Sequence, residues 1–240
     1  MIDINSDMGE SFGRYTLGQD KKLMPYIDSC NIACGFHAGD PKGIEETIQE
    51  AINHGVSIGA HPSFPDLQGF GRRNMNIESS ELKSIIKYQV AAIKGLVESW
   101  GESLHHVKPH GALYNMATND YEMSRAIVSA VKEIDNELII YAPFNSKYAE
   151  IVRDEGMDLW YESFADRRYN GDLTLVSRSH PGAVIYDAEL AVEQVKSMVE
   201  DGKVTTIDGK KVPIKTQTVC IHGDNRNALE IARSLRNFMD

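Results

Sequence analysis

Short β-prone segments alternate with amphipathic helical ones along the whole chain, and this alternation most constrains what it can fold into. The segments expected as strands are Ile2–Ser6, Ser29–Ala33, Val56–Ala60, Leu104–Lys108, Leu138–Ala142, Asp158–Glu162 and Thr218–Ile221. The helices between them have legible ends. Asp40 suits an N-cap with Pro41 at the first helical position, and Gly55 follows the last turn after His54. A second helix is expected from about Ser80 to Trp100, stopped by Gly101. Asn119 with Glu122 resembles a capping box, and Asp187 opens a helix closed by Gly202.

Strand–helix alternation with short links predicts a parallel sheet covered by helices. No GxGxxG turn follows an early strand, which argues against an open dinucleotide-binding sheet. The seven strand–helix units instead predict an α/β fold, a seven-stranded, slightly incomplete parallel (β/α) barrel. One stretch departs from the pattern. Residues 204–215, turning at Asp208-Gly209, predict a β-hairpin inserted before the last strand. With no repeat, linker or low-complexity segment, a single domain over 1–240 is expected.

Side chains alternate across a strand, so each segment splits into two faces. Asp3, Asn5 and Asp7 share one face of the first strand, and Asn31 opposes Cys30 and Ile32 in the second. Ser57, Gly59 and His61 share a face, as do His106, Lys108 and His110, and Thr218, Cys220 and His222. Parallel strands buried on both sides normally read as continuous apolar runs, so a polar inner face calls for a reason. The polar residues gather toward the carboxyl ends of the strands, where barrel active sites are built. The loops beyond add Glu10, His37, Arg72, Arg73, Glu162, Arg167 and Asp224.

The chain has 35 acidic and 25 basic side chains, a net charge of −10, which argues against nucleic acid or an anionic membrane as a partner. No apolar run approaches the roughly 20 residues of a membrane span, and no signal peptide is legible. Cys30, Cys34 and Cys220 form no CxxC pair or even set, as expected of reduced thiols in a cytoplasmic protein.

Four segments carry a resemblance: Asn5-Ser-Asp-Met-Gly-Glu10, Asn31-Ile-Ala-Cys-Gly-Phe-His-Ala-Gly-Asp40, Gly59-Ala-His-Pro-Ser-Phe-Pro-Asp66 and Val107-Lys-Pro-His-Gly-Ala-Leu-Tyr114. With the run Glu162–Arg168 and Ile221-His-Gly-Asp224, they resemble the LamB/YcsF family in order along nearly the whole chain. The resemblance implies a seven-stranded barrel distantly similar to polysaccharide deacetylases. It also implies one subunit of an ATP-dependent 5-oxoprolinase, acting with 5-oxoprolinase subunits B and C. That enzyme converts ATP, 5-oxo-L-proline and two waters to ADP, phosphate and L-glutamate.

An amide is a poor electrophile, so opening the lactam needs an activated carbonyl and an activated water. Asp7 and Glu10, with His61 or His110, are the expected acid–base residues, because imidazole titrates near neutral pH. Lys108 suits a developing oxyanion or phosphoryl charge. Asn31, His37, Arg72, Arg73, Glu162, Arg167, His222 and Asp224 are expected around the substrate, an arginine holding its carboxylate. Alanine at Asp7 or Lys108 is expected to abolish turnover with folding intact. Bland readings fit other residues: His54 a helix-end residue, His105 a packing residue, Cys30 and Cys34 small core residues.

No GxxxxGK[ST] loop is present, so ATP with Mg enters as a co-substrate through an unconventional site or one on a partner chain. Two other functions are open at this stage. Asp7, His37, His61 and His110 suit a divalent ion in a metal-dependent amide hydrolase of the polysaccharide-deacetylase type. A non-catalytic, substrate-binding role is the other.

Overall fold

The computed structural model describes residues 2–239; Met1 and Asp240, the two ends of the expected domain, lie outside them. All seven expected strands are present: β1 (Asp3–Met8), β2 (Ser29–Ala33), β3 (Ser57–His61), β4 (His106–Val107), β5 (Ile139–Pro143), β6 (Leu159–Phe164) and β9 (Thr218–Ile221). They are parallel and hydrogen-bonded in chain order, and β9 pairs with both β6 and β1, closing the barrel. The ring is complete with seven strands where the eight-stranded barrel has one more. Its shortest strand, β4, is extended by Lys108 N donating to Ala60 O at 3.0 Å and His110 N to Pro62 O at 2.8 Å.

Helices clothe the barrel, beginning with the single turn α1 (Asp20–Leu23). In α2 (Pro41–His54), Asp40 accepts from the Lys42 and Gly43 amides, and Gly55 takes the left-handed conformation with φ 67°. The buried residues Ile44, Thr47, Ile48 and Ala51 recur at helical spacing and face the sheet. α3 (Ser79–Ser99) buries Leu82, Ile86, Gln89, Val90, Ile93 and Val97. Its Gln89 donates to Ser63 O and accepts from Ser63 N, both at 2.9 Å, which anchors the loop after β3 that carries His61. The short α4 (Gly111–Ala117) follows β4 directly. The expected Asn119–Glu122 capping box does not form, and the cap falls one residue later. α5 (Tyr121–Ile134) is capped by Asp120, which accepts from Met123 N at 3.0 Å, so Asn119 lies outside the helix. α6 (Lys147–Asp154) joins β5 to β6, α7 (Ala188–Glu200) opens at Asp187 as expected, and α8 (Ala228–Met239) follows β9.

The hairpin also stands where expected: β7 (Lys203–Thr205) pairs antiparallel with β8 (Lys211–Pro213). It packs Val204 and Ile214 with Tyr114, Tyr169 and Phe164 into a small apolar cluster beside the carboxyl-end mouth. The main core, with Ile4, Met8, Ile32, Val107, Ile140 and Val219, fills the layer between strands and helices. No described helix is long and apolar enough to cross a membrane.

Candidate active site

The polar faces of the strands point into the barrel. At its amino end, Asp3 accepts from Ser29 Oγ at 2.9 Å and from Thr218 Oγ1. One layer up, Asn31 donates to Asn5 Oδ1 at 2.8 Å and to Asp7 Oδ1 at 2.9 Å. Asn5 donates to Thr218 Oγ1 at 2.7 Å and Glu162 Oε1 at 3.2 Å. His106 Nε2 donates to Asn31 Oδ1 at 2.7 Å, and its ring stacks on Tyr141 with centroids 4.0 Å apart. That imidazole fits only because β3 carries Gly59, where any Cβ would lie 2.1 Å from His106 Nε2.

Lys108 closes this layer from above. Its ammonium lies 2.8 Å from Asp7 Oδ1, 2.9 Å from Glu162 Oε1 and 3.1 Å from Cys220 Sγ, and it is buried. Burial alone would favour a neutral amine, but the Asp7 and Glu162 carboxylates hold Lys108 charged, its pKa well above the usual value. Burial likewise opposes the Asp7 charge, yet His61 and Lys108 hold its carboxyl well below the usual carboxylate range. Lys108 is thus the shared counter-charge of two buried carboxylates, Asp7 and Glu162.

Beside Lys108 sits a histidine group. His61 Nε2 lies 3.4 Å from Asp7 Oδ1 and 3.0 Å from His110 Nδ1. His37 stacks on His110 with centroids 3.7 Å apart, and its Nε2 lies 3.1 Å from Glu10 Oε1. Burial, reinforced by Asp7, pushes Glu10 up to about 8. Burial also pushes His37 and His110 well below the usual histidine value, which keeps both neutral.

The remaining wall is cationic. His222 stacks on Phe164, and its Nδ1 donates to Asp166 Oδ1 at 2.8 Å; Asn225 donates to the other Asp166 oxygen at 3.0 Å. Burial opposes the Asp166 charge, but His222 beside it lowers its pKa overall. Arg72 and Arg178 both bind Asp224, at 2.7 and 3.2 Å. Arg167 is buried, donates to Val176 O at 2.7 Å, and leaves its Nε without a partner. Burial, then Arg178, lowers its pKa to about 10. These groups enclose a cavity of about 300 Å³ floored by Asp7, His61, Lys108 and His110 and walled by Arg167 and His222.

Most of the expected residues therefore converge. Asp7, Glu10, His61, Lys108 and His110 form the floor or touch it, and Asn31 braces Asp7 from below. His37 lies behind His110, and Arg72 and Asp224 stand at the rim. Glu162 reaches Lys108 from β6 and keeps one buried oxygen unpartnered. Arg73 does not join them: its side chain is 64% exposed and is bound by Asp66, on the outer side of the long loop after β3. Adjacent residues in a loop diverge, so a pair of arginines supplies one to the cavity and one to the scaffold.

Sequence reasoning missed Arg178, Asp166 and the role of His106. Arg178 lies in an irregular stretch with no periodicity to expose it. Asp166 was visible as a carboxylate after β6, but its pairing with His222 spans 56 residues and appears only in three dimensions.

A closed parallel barrel whose ionisable cavity opens at the carboxyl ends of its strands belongs to the class of (β/α) barrels built for small-molecule chemistry. Within that class the chain belongs to the LamB/YcsF family, matched over residues 2–240. It is 52% identical to a 5-oxoprolinase subunit of Alkaliphilus metalliredigens, over 99% of this chain and 93% of that one. A solved structure, the lactam utilization protein of Thermus thermophilus, is 43% identical with a TM-score of 0.93, covering 98% of this chain and 94% of that one. The family 4 carbohydrate esterase of Streptomyces lividans shares the fold alone, at 9% identity and a TM-score of 0.51 over 99% of this chain and 86% of that one.

Proposed function

We propose that this chain is the lactam-opening component of an ATP-dependent 5-oxoprolinase, which hydrolyses 5-oxo-L-proline to L-glutamate as ATP with Mg becomes ADP and phosphate. The naming of its relatives supports this reading, and one observation carries it: a cavity of about 300 Å³ lined by both the buried Lys108 and Arg167. A five-membered lactam with one carboxylate needs both, one for the carbonyl oxygen and one for the carboxylate.

In this reading Arg167 takes the carboxylate, with Arg72 and Arg178 at the rim. Lys108 faces the oxygen on which negative charge develops as water adds to the carbonyl. Asp7, held ionised, keeps Lys108 and His61 in place. His222, with Nδ1 fixed by Asp166, presents Nε2 as the proton carrier, first from the attacking water and then to the leaving nitrogen. Water supplies the hydroxyl of the new carboxyl group, and the C–N bond breaks as the nitrogen gains its proton. Phosphorylation of the lactam oxygen would make it part of a better leaving group. With no Gly-rich phosphate loop in this chain, we assign ATP to the partner subunits B and C. The buried free cysteines and acidic composition suit work in the cytoplasm.

The test is glutamate release from 5-oxoproline and ATP by this chain alone, by its partners alone and by the mixture. Turnover only in the mixture, lost with Asp7→Asn, is expected. Equal turnover by the partners alone would reduce this chain to a non-catalytic component.

A further inference from the structure

His61 and His110 each commit one ring nitrogen to a backbone carbonyl: His61 Nδ1 to Lys108 O at 2.7 Å, and His110 Nε2 to Phe70 O at 2.8 Å. A carbonyl only accepts, so both of these nitrogens carry hydrogen. In the neutral rings His61 Nε2 and His110 Nδ1 are then bare, and they lie 3.0 Å apart. Two lone pairs at that separation repel unless positive charge accompanies them.

A single shared proton would satisfy that one line. It does not account for the convergence of the other groups. One donor atom each from Glu10, His37, His61 and His110 fall together, all within 4.8 Å of one another. Atoms bound about 2.1 Å from one cation sit roughly 3–4 Å apart, and an imidazole binds in its own plane, so forming a coordination sphere takes contraction of the cluster and a turn of His37 out of its stack on His110. Asp7 Oδ1 stands at its edge, 3.4 Å from His61 Nε2. Orientation by a carbonyl on the opposite ring nitrogen is also how proteins fix metal-binding imidazoles.

The loop that supplies one of those carbonyls is strained at the same place. Phe70 has φ 55° and Gly71 φ 63°. A non-glycine residue in that region costs about 1–2 kcal/mol, and such strain gathers at functional sites. Gly71 has no room for a side chain: a Cβ there would lie 2.8 Å from His110 Cδ2 and 2.9 Å from His37 Cβ. The loop is pressed onto the two stacked rings with the Phe70 carbonyl turned to His110.

We propose that Glu10, His37, His61 and His110 form a binding site for one divalent transition-metal ion of the zinc, cobalt, manganese or iron(II) class. Three imidazoles to one carboxylate favour these ions over magnesium and calcium, which prefer oxygen. Two of the proposed ligands, His61 and His110, also floor the cavity beside Lys108. An ion held by them would supply Lewis-acid activation of a water for attack on an amide carbonyl. Uptake of the ion does not depend on which amide the chain opens, so this site and the 5-oxoprolinase reading fail separately.

The experiment is a Co2+ titration of the chelator-treated full chain, followed by the visible d–d bands and by elemental analysis after desalting. One equivalent of Co2+ is expected, displaced by Zn2+ and not by millimolar Mg2+. His61→Ala and His110→Ala should each weaken it by at least about tenfold, while His54→Ala, at an exposed helix end, leaves it unchanged. Glu10→Gln removes one ligand at nearly constant shape and covers the case in which a histidine variant fails to fold. Less than a tenth of an equivalent of Co2+ or Zn2+ bound at ~100 μM free metal, or undiminished binding in His61→Ala, His110→Ala and Glu10→Gln, overturns the site.

Discussion

The two ends of the barrel interior are built from similar residue types and are wired differently. At the amino end Asp3, Ser29, Thr218, Asn5, Asn31 and His106 are linked by hydrogen bonds that continue upward from Asn31 to Asp7 and from Asn5 to Glu162. At the carboxyl end charge is concentrated and left open: Glu162 Oε2, Arg167 Nε and Tyr114 Oη are buried without partners. A fully satisfied polar network rigidifies, whereas a partly satisfied one is held in place by its surroundings and reserves its capacity for something else. The lower layer is best understood as a scaffold that fixes the height and angle of Asp7 and Lys108. In the proposed function the upper layer is where a ligand completes the wiring.

The strongest way to break this division is at the joint. Lys108→Met leaves Asp7 and Glu162 buried without a counter-charge and should destabilise by about 3–5 kcal/mol. It should also abolish turnover in the assembled enzyme, as urea melts beside glutamate assays would reveal; a variant as stable as the parent would mean that the ion pair is not structural. Next, His222→Gln can still donate to Asp166 but cannot carry a proton. Turnover should fall by about 10²–10⁴-fold with the melt little changed, and Asp166→Asn should shift the pH profile. A drop confined to KM would instead place His222 in binding.

The lower layer has its own signature. Burial raises Asp3 from 3.8 to about 6, partly offset by the Thr218 and Ser29 hydroxyls. A carboxyl whose folded value is raised adds stability below its unfolded value and loses it as pH climbs through the folded one. The Asp3 contribution should therefore disappear between about pH 4 and 6, by no more than roughly 3 kcal/mol. Asp3→Asn should flatten that part of the stability-versus-pH curve without touching turnover; an unchanged slope would show that folding leaves the Asp3 pKa where it is in the unfolded chain. Smallest of all, Arg73→Ala removes a pair on the outer side of the loop, away from the cavity. It should cost no more than about 1 kcal/mol and leave KM for 5-oxoproline unchanged, and a raised KM would return Arg73 to the substrate.

Much of this was legible because periodicity survives folding. The seven strands, the hairpin, and the shared faces of Asp3, Asn5 and Asp7 or of His106 and Lys108 follow from side chains alternating along a strand. The loops were harder. Arg72 and Arg73 are neighbours in sequence with opposite fates, and Asn119 yielded the cap to Asp120, because a loop has no repeat to fix which side chain turns inward.

The sequence by itself determined the barrel, its polar interior, and the end at which the reactive groups gather, since alternation, capping and glycine punctuation are local. Only the tertiary structure decided the pairings: His222 with Asp166, Lys108 between Asp7 and Glu162, and Arg178 with Asp224. It also decided that His61 Nε2 and His110 Nδ1 face each other at 3.0 Å. Closing the ring brings β9 against β1 and sets groups more than a hundred residues apart within hydrogen-bonding distance, as with Lys108 and Cys220 at 3.1 Å. No local pattern encodes which partner a charged side chain meets there, because the choice is made by burial and by the charges already in place.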